Sequence, residues 1–183
     1  MGKVYVFLAD GFEEIEGLTV VDLLRRAGVE TVTVSVMKEL LICGAHGIKV
    51  YADAMFADLD YSDGDMLVLP GGMPGTTNLG AHAGLCELLR RYASEGKRIS
   101  AICAAPSVLG QNGLLEGKQA TCYPGFEGEL KGAVYTAGRV AADGTVITGK
   151  GPGTAIDFAL AIITALRGEK TAKAISDALQ YTA

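Results

Sequence analysis

The chain has 183 residues, of which 49% are hydrophobic and 20% charged, enough to bury one substantial core and too apolar for a disordered chain. A formal net charge of -5 removes the broad attraction on which nucleic-acid binding rests, and the lysines and arginines are scattered apart from Arg25-Arg26 and Arg90-Arg91. The apolar start, Val4 to Leu8, is too short for a signal peptide core or a membrane span, and Val6 stands where a myristoylation motif needs Ser or Thr. The expectation is therefore a cytoplasmic protein with reduced thiols and no membrane contact.

In chain order, Lys3 to Leu8 reads as a first strand. Val20, Leu23, Leu24 and Ala27 follow at helical spacing up to Gly28. Thr31 to Val36 alternates β-branched residues and reads as a second strand. Two small β-prone pieces between Leu40 and Tyr51, around Gly44 to Gly47, suggest an excursion outside the main sheet. Met66 to Leu69 is a buried-type strand broken by Pro70-Gly71-Gly72. Leu85, Leu88, Leu89 and Tyr92 repeat the helical spacing before Gly96, and Arg98 to Ile102 is a strand ending directly at Cys103. A short helix to about Gly110, weaker strands near Gln119 to Thr121 and Thr145 to Thr148, and a strong helix through Ala155, Phe158, Ala159, Ile162, Ile163 and Leu166 complete the pattern. Strands alternating with helices predict an α/β fold, a flavodoxin-like parallel sheet with helices on both faces, in a single domain over residues 1–183.

In such sheets, sites gather beyond the carboxyl ends of the strands. Three ends stand out: Asp10 to Glu16 supplies carboxylates, Pro70 to Gly75 backbone amides, and Cys103-Ala104-Ala105-Pro106 a thiol at a strand-to-helix turn with small neighbours. That turn has the outline of a nucleophile elbow without the glycines of the serine form. The positive end of a helix dipole favours thiolate there, although the same position also suits a buried, inert cysteine. The amides of Gly71 and Gly72 suit a developing oxyanion or a cysteine oxyacid, or simply a tight loop. Glu16, near a helix start, is favourable there with or without a chemical role.

Taken in order, D-G-F-E-E-I-E, L-P-G-G, A-I-C-A-A-P and G-K-G-P-G-T resemble the motifs of the ThiJ/PfpI superfamily, whose fold is shared with class I glutamine amidotransferases, and specifically its branch of the parkinsonism-associated deglycase. The resemblance spans essentially the whole chain. It implies Cys103 as the oxidation-prone nucleophile, Glu16 as a frequently protonated partner of the sulfur, and the amides of Gly72 and Ala104 as oxyanion donors, in a homodimer with the Glu16 helix near the partner. Tyr123 stands where many relatives carry histidine, which leaves proton transfer to Glu16, since tyrosine is a poor base near neutral pH at its ordinary pKa. By the same resemblance, the expected activity is glutathione-independent glyoxalase or deglycase chemistry on reactive aldehydes such as methylglyoxal and on glycated thiols or amines, linked to carbonyl and oxidative stress. The alternative is a redox sensor or chaperone-like protein working through Cys103 oxidation. Peptidase and amidotransferase chemistry needs an activating histidine; Ala104 follows the cysteine and no histidine follows His82.

No cofactor is expected. Cys43, Cys86, Cys103 and Cys122 lack C-x-x-C pairing, and only His46 and His82 could join them at a metal, so none is expected either; both histidines read as surface or loop residues. Cys43 lies in a glycine-flanked loop, and Cys86 and Cys122 read as packing residues. Gly144 to Gly151 nearly spells a phosphate-binding loop, but Gly151 replaces the Ser or Thr that holds magnesium and the interior reads as a strand.

Overall fold

The computed structural model describes residues 2–182. Its strands are β1 (Lys3–Leu8), β2 (Glu30–Ser35), β3 (Leu41–Cys43), β4 (Lys49–Tyr51), β5 (Ala54–Met55), β6 (Met66–Leu69), β7 (Arg98–Ile102), β8 (Gln119–Ala120), β9 (Val134–Tyr135), β10 (Val140–Asp143) and β11 (Val146–Gly149). The helices are α1 (Glu14–Arg26), α2 (Gly75–Ala81), α3 (Ala83–Ser94), α4 (Pro106–Gln111), α5 (Ala155–Arg167) and α6 (Glu169–Ala178).

Seven strands form the main sheet in the order β10-β11-β7-β6-β1-β2-β5. All neighbours run parallel except β10 and β11, so the sheet is mixed and mostly parallel, with one antiparallel edge strand. The parallel α/β sheet expected from the sequence is thus present, with the antiparallel edge as an addition to it. The cause of that edge is local: Asp143-Gly144, with Gly144 at φ +61°, is a dipeptide that tight hairpins favour. The β3–β4 hairpin stands outside the main sheet, as the sequence suggests. Near Gln119 the weak strand pairs with β9 instead of the main sheet. Two glycines and two threonines in seven residues hid α2 from the sequence reading, because all four have weak helix propensity.

Strand alternation explains the two buried layers. Val4, Val6 and Leu8 of β1 face α1 and α5, packing with Val20, Leu24, Phe158, Ile162 and Ile163. Tyr5 and Phe7 point the other way and pack with Leu85, Leu89 and Tyr92 of α3 and Val108 and Leu109 of α4. A strand buried on both faces reads as a nearly continuous apolar run, which is why β1 and β6 are legible in the sequence. With β7 they lie side by side and carry the loops at 9–13, 70–75 and 102–106 to one edge.

Candidate active site

Beyond that edge the backbone is held in conformations that constrain side chains tightly. Cys103 has φ +67°, a region non-glycine residues rarely occupy, and its N–H donates to the Gly149 carbonyl at 2.9 Å. Beside it, Gly71 has no room for a side chain: a Cβ there would lie 2.6 Å from the Cys103 Cβ and 2.8 Å from Glu16 Oε2. Gly72 turns at φ +89°, and a Cβ on it would meet the Glu13 nitrogen at 2.3 Å. The Gly71 carbonyl in turn accepts from the Glu13 N–H at 2.9 Å, tying this loop to the start of α1.

Glu16 is completely buried. Its Oε2 accepts the Gly71 N–H at 2.8 Å, while Oε1 has no hydrogen-bond partner, and the Cys103 thiol is the side-chain group that acts on this carboxyl to lower its pKa. Burial pushes the Glu16 carboxyl up to about 7, against the lowering effects of Cys103 and the Gly71 amide; the nearby Glu13 charge adds to the rise. For Cys103, burial comes first, followed by the charge and hydrogen bond of Glu16, and together they push the thiol up to about 12; the Gly72 and Ala104 amides pull the other way. The helix-dipole expectation of a lowered thiol pKa is thus corrected. The six-residue α4 starts only at Pro106, and burial outweighs its field.

Two of the three effects raising the thiol require a charged Glu16. A protonated Glu16 removes them and becomes a donor to sulfur. The carboxyl and thiol therefore titrate as one unit, in which loss of the first proton, near 7, leaves a single proton between oxygen and sulfur. The arrangement thus holds a thiol beside a carboxyl that ionises near neutral pH, with the Gly72 and Ala104 amides favouring a charged sulfur.

Glu16, Gly71, Gly72, Cys103 and Ala104 come together here. Tyr123 joins through its backbone, donating its N–H to the Cys103 carbonyl at 2.8 Å, while the residue as a whole is 46% exposed. Cys122 is fully buried, with its thiol pushed up to about 11 by burial. Cys43 and Cys86 are half-buried. His82 caps α3 by accepting the Leu85 N–H on Nδ1 and lies against the Phe56 ring. The near-phosphate loop is the strand β11, so its interior has no free loop to cradle phosphates.

Glu14, in the first turn of α1, is buried and clamps the β3–β4 hairpin. Its Oε1 accepts the His46 N–H at 2.8 Å and the Ile48 N–H at 3.3 Å, and its Oε2 meets His46 Nδ1 at 2.9 Å. Gly44 was the available signal, since a Cβ there would lie 2.3 Å from Glu14 Oε1. Glu13, Glu14 and His46 each place a ligating atom within 4.8 Å of the others, and are the residues that could hold a metal ion.

A doubly wound α/β domain with a thiol in a left-handed turn, a buried carboxyl and a glycine loop defines the class. The chain matches the DJ-1/PfpI family over residues 2–165 and belongs to it. It is 37% identical over 179 residues to "Protein DJ-1 homolog B" of Arabidopsis thaliana, covering 97% of this chain and 41% of that protein; it therefore spans less than half of that relative's length. It is 35% identical over 162 residues to "Glutathione-independent glyoxalase DJR-1.2" of Caenorhabditis elegans, covering 87% of this chain and 86% of that protein. The solved structure of oxidized DJ-1 from Toxoplasma gondii superposes with a TM-score of 0.96 at 37% identity, covering all of both chains.

Proposed function

We propose that the protein is a cysteine-dependent glyoxalase or deglycase acting on 2-oxoaldehydes such as methylglyoxal and on their thiol or amine adducts. The observation that carries this reading is the buried Glu16 carboxyl, raised to about 7, beside Cys103 and the Gly72 and Ala104 amides. The nematode relative named as a glyoxalase supports it.

In this reading the Cys103 thiolate adds to the aldehyde carbon, and Glu16 gives its proton to the resulting alkoxide. The Glu16 carboxylate then takes the hydrogen of that carbon as a proton and returns it to the adjacent carbon, while the hydroxyl proton passes by the same carboxyl to the neighbouring oxygen. One carbon is oxidised to a thioester while its neighbour is reduced to an alcohol, so no outside oxidant is needed. Water cleaves the thioester to a 2-hydroxy acid, lactate from methylglyoxal, and frees the thiol. Glu16 carries every proton transfer, and Tyr123 none.

The protein works as a cytoplasmic homodimer in carbonyl and oxidative stress. Exposed Ile15 and Leu18 on α1, with Ile48 and Tyr51 on the hairpin that Glu14 clamps, support the dimer, and four free cysteines fit a reducing compartment. Among the described residues no helix is long and apolar enough to cross a membrane.

Lactate release from methylglyoxal without glutathione tests the activity. Cys103→Ser is expected to cut turnover by at least ~1,000-fold, and Glu16→Gln by ~100-fold or more, with circular dichroism unchanged. Wild-type protein without turnover would overturn the enzyme reading. A second reading, redox sensing through a Cys103 sulfinate, is favoured by the oxidized state of the Toxoplasma neighbour. Peroxide would then convert Cys103 to a stable sulfinate, seen as a two-oxygen mass gain.

A further inference from the structure

A cleft of about 340 Å³ is lined by Tyr123, Pro124, Arg139, Lys150 and the loop Gly151 to Thr154. Its walls are bonded to the backbone of Cys103 on both sides. Tyr123 donates its N–H to the Cys103 carbonyl at 2.8 Å, and Gly149, which precedes Lys150, accepts the Cys103 N–H at 2.9 Å. Gly151 lets the Tyr123 ring lie close, since a Cβ there would stand 3.0 Å from the ring. The space exceeds what a three-carbon aldehyde needs.

The charge of this lining is unusual for a chain of net charge -5: it holds two cations and no carboxylate. Arg139 is already matched, with Nη2 at 2.6 Å from Asp157 Oδ2 and 2.9 Å from the Gly153 carbonyl. Lys150 joins none of the ion pairs among the described residues. A half-buried lysine without an ion-pair partner, in a cleft bonded to the Cys103 backbone, suits an anionic ligand group.

We infer that this cleft is an anion subsite, and that the substrates are 2-oxoaldehydes whose far end carries a carboxylate held by Lys150 against the Tyr123 wall. One unmatched cation fits a single negative charge better than the double charge of a phosphate. The inference rests on the glyoxalase reading for its chemistry but on the cleft alone for its charge preference. The five-carbon 4,5-dioxopentanoate has the required form, and the reaction proposed above would convert it with one water to 2-hydroxyglutarate.

Two measurements test this. In the first, kcat/KM is compared for 4,5-dioxopentanoate and the neutral 2-oxopentanal, which has the same chain length. Wild type is expected to favour the anion by about tenfold, Lys150→Met to lose that preference, and Lys150→Arg to keep it. Equal preference in wild type and Lys150→Met would overturn the subsite while leaving the glyoxalase reading intact. The second needs no turnover: pyruvate is titrated into labelled protein, following the amide resonances of Gly151, Gly153 and Thr154. Saturable shifts in wild type that vanish in Lys150→Met support the subsite even if neither aldehyde is consumed, an outcome that would sink only the glyoxalase reading. Absence of saturable shifts in wild type overturns the subsite.

Discussion

Glu14 and Glu16 stand one residue apart in the first turn of α1, both buried, yet their surroundings pull them in opposite directions. Burial alone would raise both. At Glu14 it is overcome by the His46 side chain and by backbone N–H donors, which hold the carboxyl below its usual range. Glu16 has one backbone donor, Gly71, a thiol as its other neighbour, and the Glu13 charge nearby, so burial wins and lifts it to about 7. Burial by itself thus says little about the charge of a carboxyl; the count and kind of donors decide. One side of the turn is a latch for the hairpin, and the other is a proton store beside sulfur.

The largest effect in breaking this contrast is expected from Gly72→Ala. The added Cβ meets backbone at 2.3 Å at φ +89°, so the loop carrying the Gly71 donor must shift. Chemical denaturation should show a loss upwards of about 3 kcal/mol.

Next comes the pH dependence of Glu16. Its folded pKa is raised, so the folded state keeps a proton that the unfolded chain loses from about 4.5 upward. Stability should therefore be greatest below 4.5 and fall as pH rises towards 7, by up to about 3 kcal/mol. Glu16→Gln should flatten that window in urea titrations at successive pH values; an unchanged slope would remove Glu16 from the account.

Smaller again is the effect of the latch. Glu14→Gln should cost on the order of 1–2 kcal/mol and speed hydrogen exchange at the His46 and Ile48 amides. The lowered pKa of Glu14 places its contribution above 4.5 and removes it only as pH falls below that value, a window distinct from that of Glu16. His46→Gln should do least. The raised His46 pKa makes its contribution complete below 6.5 and lost as pH rises through the folded value, so the variant should remove any neutral-pH variation in loop exchange.

Much of this protein was legible in the chain itself. The bounds of β6 coincide with an apolar run, and β1 is apolar from Val4 to Leu8, because strands buried on both faces carry few polar residues. Cys103, Gly71, Gly72 and Glu16 were legible as candidates because each sits at a strand or helix end where side-chain type is locally restricted. The antiparallel edge and α2 were not read: one rests on a two-residue turn, the other on residues of weak propensity held by tertiary contacts.

By itself, then, the sequence determined the order in which strands and helices follow one another and the two-faced burial, and it marked Cys103 as a candidate, since these depend on local periodicity and residue chemistry. Only the tertiary structure decided that Glu14 latches the hairpin while Glu16 keeps a single backbone donor, that the thiol is raised instead of lowered, and that Tyr123 and Lys150 border one cleft. Those depend on distances between residues as far apart as Glu16 and Gly71. Desolvation and hydrogen bonding act through space, where separation along the chain carries no information.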